Sequence, residues 1–302
     1  MCARGHTKLV YFRREKALKD TYISAKWVSR EQSEIEKMTY VYSKTLTDSV
    51  RQQISIIFAL IVREMTTRYG TKFGGYMWAV LDPVLFIAIL TTVFSAIAHV
   101  PPLGRSFLLF FATGYASFYI YRSTADQVAS AVEANRALLN YPVVRPFDAI
   151  ISRVLLQAAT LFVVNLLLFG TISIFVEFGQ LRMGPILTAS AIGLTLGAGV
   201  GISNIVWFHL SSTYQHIWGV INRPAFMVSG VFFLPESIPI PYREILMWNP
   251  LVHLVGIFRM GFYPTYRASY VNLPYVIGLA VFSVVFGLFL VWLFDARLRE
   301  PK

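Results

Sequence analysis

A single cysteine, Cys2, leaves the chain without a disulfide framework or a cysteine-rich metal cluster. Charge is scarce as well: Asp, Glu, Lys and Arg make up 14% of the 302 residues against 56% hydrophobic, which excludes a large soluble catalytic domain. No G-x-x-x-x-G-K-[ST] occurs, so the phosphate cradle of a P-loop ATPase is missing. The histidines, His6, His99, His209, His216 and His253, form no H-E-x-x-H or other close ligand pair, and no metal is expected. Acidic residues within apolar segments come down to Asp82, with Glu177 and Asp295 at segment ends. Paired carboxylates for a proton relay or for glycosyl transfer are therefore absent. No secretory signal is visible, because the first strongly apolar run covers 54–62 and no small-residue cleavage site follows a short core near Met1. The N-terminus is expected to stay in the cytosol.

What the chain has is long apolar sequence and positive charge. The net charge is +11, and about half of the Lys and Arg residues precede Lys72, on the flank of the hydrophobic part. That distribution suits an anionic membrane face better than nucleic acid. Residues 1–45 are polar with mixed charge and read as a cytosolic tail. Met38 offers an alternative start. In 46–70, Leu46, Val50, Ile54, Ile57 and Ile61 recur at helical spacing, interrupted by Asp48, Arg51, Gln52 and Arg63. Its continuous apolar run covers only about 13 Å at 1.5 Å per residue, against a hydrocarbon core of roughly 30 Å. An amphipathic helix lying in the interface is expected.

Residues 71–302 read as a transmembrane domain with six apolar segments, at 76–98, 106–121, 149–176, 185–208, 217–234 and 271–294. The second is short, and Arg223 and Pro224 interrupt the start of the fifth. Basic residues crowd the N-terminal flank, the loop holding Arg122, Arg136, Arg145 and Arg153, and the tail with Arg297, Arg299 and Lys302; the opposite loops carry Arg105 and Arg182. An even number of spans with both termini cytosolic satisfies this bias. The exception is 235–270, which holds Arg243, Arg259 and Arg267. Its proline breaks and two short apolar stretches, 245–248 and 251–258, fit helices that re-enter the membrane between spans five and six, or a folded cap on its outer surface. The fold class expected is all-α: six transmembrane helices, an N-terminal interfacial helix and short re-entrant helices at about 235–262.

Gly193, Gly197 and Gly201 repeat every fourth residue inside an apolar stretch, which favours close helix packing over nucleotide binding. Asp82 before Pro83 either begins a kinked helix or pairs with a basic neighbour. The aromatics Tyr115, Phe118, Tyr119, Trp207 and Trp218, with Trp78, have two readings: anchors at the membrane interface, or a path whose flat faces pack against sugar C–H groups. Arg68 and Lys72 either attract an anionic substrate at the cytosolic mouth or snorkel to the interface. For His253, after Asn249 and Pro250, hydrogen bonding is expected rather than catalysis.

Three stretches, RYGTKFGGYMWAVLDP at 68–83, EANRALLNYPVVRPFDAIISRVL at 133–155 and FFLPESIPIPYREILMWNPLVHLVGIFRMGF at 232–262, resemble the permease subunits of ABC-2 type exporters, specifically those of capsular polysaccharide. The likeness runs from about residue 46 to the end. It implies a homodimer bound to two cytosolic ATPase subunits that hold ATP and Mg, with no cofactor on this chain. The implied cargo is a lipid-linked acidic polysaccharide crossing the bacterial inner membrane. A periplasmic co-polymerase-like partner and an outer-membrane conduit are also implied. The resemblance places a coupling helix at about 125–148, with Glu133, Asn135, Arg136 and Leu138 as the residues that couple to the ATPase. It places Asn249, Pro250, His253 and Arg259 in an outer re-entrant motif. Gly256 departs from the pattern, since relatives often carry an acidic residue there.

Other classes are weighed beside this. A membrane-embedded transferase needs a cluster of Asp, Glu or His at one face, and none is found. A channel or scaffold would function without an ATPase. Within transport, the alternatives are export of O-antigen, teichoic acid or a small hydrophobic compound.

Overall fold

Apolar runs bounded by good capping residues set most of the helices. In the computed structural model, residues 46–69, 75–139 and 144–299 are described. The tail 1–45 and Lys72 lie outside them, as do the side chains of 46–50, 68–69, 75–76 and 299. Every described secondary element is a helix: α1 Leu46–Tyr69, α2 Gly75–Ile97, α3 Phe107–Ala129, α4 Ala131–Ala134, α5 Arg136–Leu139, α6 Pro146–Phe175, α7 Met183–Leu210, α8 Ser212–Met227, a 3-10 turn Pro235–Ser237, α9 Tyr242–Leu246, α10 Pro250–Phe262, α11 Leu273–Leu293 and α12 Asp295–Arg299. The chain divides into two compact units after Ser55. The unit from Ile56 onward contains most of α1 and every later helix.

Side-chain caps mark the helix starts. Ser106 accepts from Leu109 N at 3.4 Å to begin α3, Ser211 from Tyr214 N at 3.2 Å to begin α8, and Asn272 from Tyr275 N at 3.1 Å to begin α11. At α6, Pro146 takes the first helical position, where its missing N–H costs nothing, and Asp148 reaches back to Arg145 N at 2.9 Å. Pro83 does not open α2 but lies inside it.

Helices over Met77–Ile97, Pro146–Phe175, Met183–Leu210 and Leu273–Leu293 are long and apolar enough to cross a membrane. They coincide with the first, third, fourth and sixth expected segments. The second falls in α3, which continues past residue 121 to Ala129 and carries Arg122, Asp126 and several hydroxyls. Its composition follows from its position: α3 packs against α2, α6, α7 and α10, and buries residues all round, so it is surrounded by protein rather than by lipid. The fifth segment is shorter than expected. Helix α8 ends at Met227, and its 16 residues span about 24 Å.

Glycine spacing governs the close contact between α7 and α3. A Cβ on Gly197 would lie 2.5 Å from the carbonyl oxygen of Tyr121, and one on Gly201 would lie 2.7 Å from that of Ala125. The small-residue row of α7 therefore lets its backbone meet that of α3, as its four-residue repeat predicts. One apolar cluster, built around Phe110, Phe111, Leu254 and Phe258, joins α3, α7 and α10. A second, including Val128, Val132, Leu139, Ile205 and Leu298, gathers the ends of α3, α7 and α11 beneath α4 and α5.

Candidate functional site

Three groups of residues carry the chemistry. The first is the break between α4 and α5, where Asn135 ends one short helix and precedes the other. Asn135 is buried, and its Nδ2 donates to Ala131 O at 2.9 Å. Its Oδ1 accepts from Arg63 Nη1 of α1 at 3.0 Å. The next residue of α1, Glu64, forms a buried ion pair with Arg153 of α6, and Arg153 also donates to Gln127 of α3 at 3.3 Å. Two adjacent residues of α1 thus tie the α4–α5 segment and α6 together by polar bonds. Glu133 and Arg136 pair at 3.5 Å on the exposed side, and Leu138 is half-buried beside them. Of the four residues expected to couple to the ATPase, Asn135 is buried and bonded to α1.

The second group is aromatic and falls into two separate sets. Tyr115 and Tyr119 stack at 5.6 Å, Phe86 of α2 lies 4.7 Å from Tyr115, and Phe118 meets Phe226 of α8 at 5.0 Å. Elsewhere, Tyr214 lies 5.8 Å from Trp207 and 6.4 Å from Trp218. Trp78 joins neither set and is exposed on α2. Phe86 and Phe226 were missed by sequence reasoning, because single phenylalanines in apolar runs carry no local signal. Arg68 lies in the last turn of α1, where its side chain is not among those described, and Lys72 falls outside the described residues.

The third group surrounds α10. Asn249 caps it by accepting from Leu251 N at 3.0 Å and reaches Val228 O at 3.3 Å, with Pro250 in the first turn. His253 is buried, with Nε2 2.9 Å from Met247 O and Nδ1 accepting from Asn272 N at 3.3 Å. That pattern places the proton on Nε2 of a neutral ring. Both ring nitrogens of His253 are therefore engaged with backbone groups.

Arg259 is fully buried. Its Nη1 donates to Gly230 O and its Nη2 to Val231 O, each at 2.8 Å, and the guanidinium lies 4.0 Å from the centre of the Phe110 ring. These carbonyls belong to the irregular segment after α8, where helical partners have run out. Arg259 replaces those partners, which explains one of the basic residues in 235–270 without reference to sidedness.

Tyr266 donates to Glu236 at 3.0 Å and lies 3.5 Å from Tyr270. Burial pushes both phenols up, Tyr270 to about 12, and the Glu236 carboxylate adds to the effect. Both stay neutral near pH 7. At Gly256 an added Cβ would lie 2.5 Å from Tyr270 Oη. The tyrosine occupies the space into which an acidic side chain would project.

Four helices long and apolar enough to span, packed around a buried polar framework, define a polytopic membrane protein. The chain belongs to the ABC-2 type transporter family, which it matches over residues 55–263, and is a transporter subunit rather than an enzyme. It is 34% identical to the polysialic acid transport protein KpsM of Escherichia coli over 75% of this chain and 87% of that one. It is 27% identical to the capsule polysaccharide export inner-membrane protein BexB of Haemophilus influenzae, over 88% of this chain and all of that one. With the capsule polysaccharide export inner-membrane protein CtrC of Neisseria meningitidis it shares 24% identity, at the same coverage.

Proposed function

We propose that this chain is the membrane-spanning subunit of an exporter that moves a lipid-linked acidic capsular polysaccharide from cytoplasm to periplasm. The observation that carries the reading is the match to two capsule polysaccharide export inner-membrane proteins along their whole lengths, beside a polysialic acid transport protein matched along 87% of its own. The working unit is a homodimer with two cytosolic ATPase subunits, which hold ATP and Mg. Each copy has six spans and cytosolic termini in the bacterial inner membrane. A cytosolic tail precedes the interfacial α1, residues 125–148 form the coupling region, and α9 and α10 re-enter from the outer side.

The contacts are consistent with such a course. Gly261 O accepts from Arg182 N at 2.9 Å at the start of α7, and a Cβ on Gly193 would lie 3.2 Å from Leu254. Helix α10 therefore runs antiparallel beside α7 from its start inward, which brings Asn249 to the same groove as Ser203 and Asn204 of α7. The Arg63–Asn135 bond and the Glu64–Arg153 pair supply a route by which ATPase-driven movement of α4–α5 reaches α1 and α6. Arg68 and Lys72 attract the acidic polymer, and a periplasmic co-polymerase-like partner with an outer-membrane conduit receives it. An O-antigen export permease of Klebsiella pneumoniae is 21% identical over 95% of its length, which keeps another lipid-linked glycan as the second reading.

The test is purification from native membranes in mild detergent, with mass spectrometry to identify and count the chains, beside surface polymer in a deletion strain. A stoichiometric P-loop partner and loss of capsule are expected. Recovery of this chain alone, with capsule intact, rejects the reading.

A further inference from the structure

Two opposite charges stand exposed on the helices of the bundle. Asp82 lies about 8 Å beyond the start of the Met77–Ile97 span, and Arg223 is the twelfth of the 16 residues of α8. Both are exposed, and neither enters an ion pair or a side-chain hydrogen bond among the described residues. Phe86, one turn after Asp82, and Phe226, one turn after Arg223, lie 5.5 Å apart, each beside Tyr115. Farther along, Phe94 and Phe232 meet at 5.8 Å. Helix α2 and the chain through α8 therefore run in the same direction, and Asp82 and Arg223 lie at one depth. At about 100° per residue, Asp82 is turned to one side of Phe86 and Arg223 to the opposite side of Phe226, which on parallel helices facing each other is the same side of the pair. One turn earlier on each helix a match of shape joins the match of charge: Trp78 is 59% exposed, and a Cβ on Gly219 would meet nothing within 4 Å.

A charged side chain facing lipid is costly, and the short side chain of Asp82 cannot reach the interface as an arginine can. Whatever covers this face must offer a cation at Asp82 and an anion at Arg223. Lipid tails offer neither. An acidic polymer satisfies Arg223 and is repelled by Asp82 at the same depth. A second copy of the chain offers both. In a bilayer the two-fold axis between copies stands along the membrane normal, so every residue keeps its depth and the same contact is made twice. Equal depth is what lets Asp82 meet Arg223 of the partner subunit, and Arg223 meet Asp82 of the partner subunit, in one interface.

We propose that the Asp82–Arg223 face of α2 and α8 is the seam between two copies of this chain, closed by two reciprocal ion pairs, with Trp78 seated over Gly219 of the partner subunit. The proposal rests on the homodimer reading and names the residues that carry it.

The test co-expresses two copies of the full chain with different tags in a host that makes no capsule, so that no ATPase partner bridges them, and measures how much of one copy is recovered with the other in mild detergent. Wild-type copies are expected to be recovered together. Asp82→Arg leaves only positive charge at the seam and Arg223→Asp only negative, so each, paired with itself, should lower co-recovery at least about tenfold, the scale of losing charge-assisted hydrogen bonds. Expressed together, the two kinds of chain face each other with opposite charges at both contacts, and co-recovery should return although neither chain has a matched pair of its own. Rescue when both substitutions sit in one chain, without rescue between chains, places the pair within a copy and overturns the seam. Undiminished co-recovery of either inverted chain with itself also overturns it and leaves lipid or an anionic ligand as the occupant. Should the inverted chains fail to accumulate even together, Gly219→Leu decides, because its side chain has room in the single chain: lowered co-recovery supports the seam and unchanged co-recovery overturns it. Wild-type copies that are not recovered together reject the homodimer reading itself, whereas wild-type co-recovery that no variant alters rejects this face alone.

Discussion

Arg63 and Asn135, 72 residues apart, meet through a 3.0 Å hydrogen bond that joins α1 to the break between α4 and α5. Because Asn135 is buried and also holds Ala131 O, movement of α4 relative to α1 must break or carry this bond. Replacing either residue by Ala should remove about 1 kcal/mol and lower export more than ATP hydrolysis. The double variant should be no worse than the poorer single one. Additive losses in export would show that the two residues act separately.

Glu133 is exposed and Arg136 half-buried in a pair 3.5 Å long, so loss of the pair should change stability by no more than about 1 kcal/mol. If they touch the ATPase, Glu133→Ala and Arg136→Ala uncouple hydrolysis from export at normal protein level. Normal export in both would move the docking surface elsewhere.

The Glu64–Arg153 pair is buried. Glu64→Leu or Arg153→Met alone leaves an uncompensated charge and should cost about 3 to 5 kcal/mol, while the double apolar replacement should recover much of it. Thermal melting of the purified chain in detergent distinguishes these outcomes. A double variant as unstable as the singles contradicts the buried-charge account.

At Arg259, substitution by Met strands the Gly230 and Val231 carbonyls, at about 1 to 3 kcal/mol each. Lys has one point-like ammonium in place of a planar fork, so Arg259→Lys should keep only part of the stability. Proteolysis after residue 227 is the sensitive readout: both variants should be cut faster there than wild type, Met more than Lys.

Close helix contact makes a sharp contrast among glycines. Gly197→Ala drives a methyl onto Tyr121 O and should cost about 1 to 3 kcal/mol. Gly278→Ala meets nothing within 4 Å and should be neutral or stabilising by up to about 1 kcal/mol. The same comparison extends to Gly256→Asp, which should fail alone and improve when Tyr270→Ala clears its space. Accumulation in membranes measures all three.

Much of this was legible in one dimension. The four most apolar segments became the span-length helices, and the short apolar stretch 251–258 became the body of α10, because apolar runs act locally. Helix α3 was harder to bound, since Arg122, Asp126 and its hydroxyls lower its apolar character while surrounding helices bury it. The fifth segment stopped short as a helix where Gly230 takes a φ of +79°, and the irregular turn there is held by Arg259, more than 25 residues downstream.

The sequence alone determined the helical membrane class, the absence of a nucleotide cradle and the contact row on α7, for each is a matter of composition or of spacing within one segment. Tertiary structure decided that Asn135 points inward to Arg63, that the aromatics divide into two sets, and that Asn204 and Trp218 share one groove. Those facts depend on which helices lie side by side. Pairing between distant helices is set by the summed fit of whole faces, and no short stretch of chain contains it.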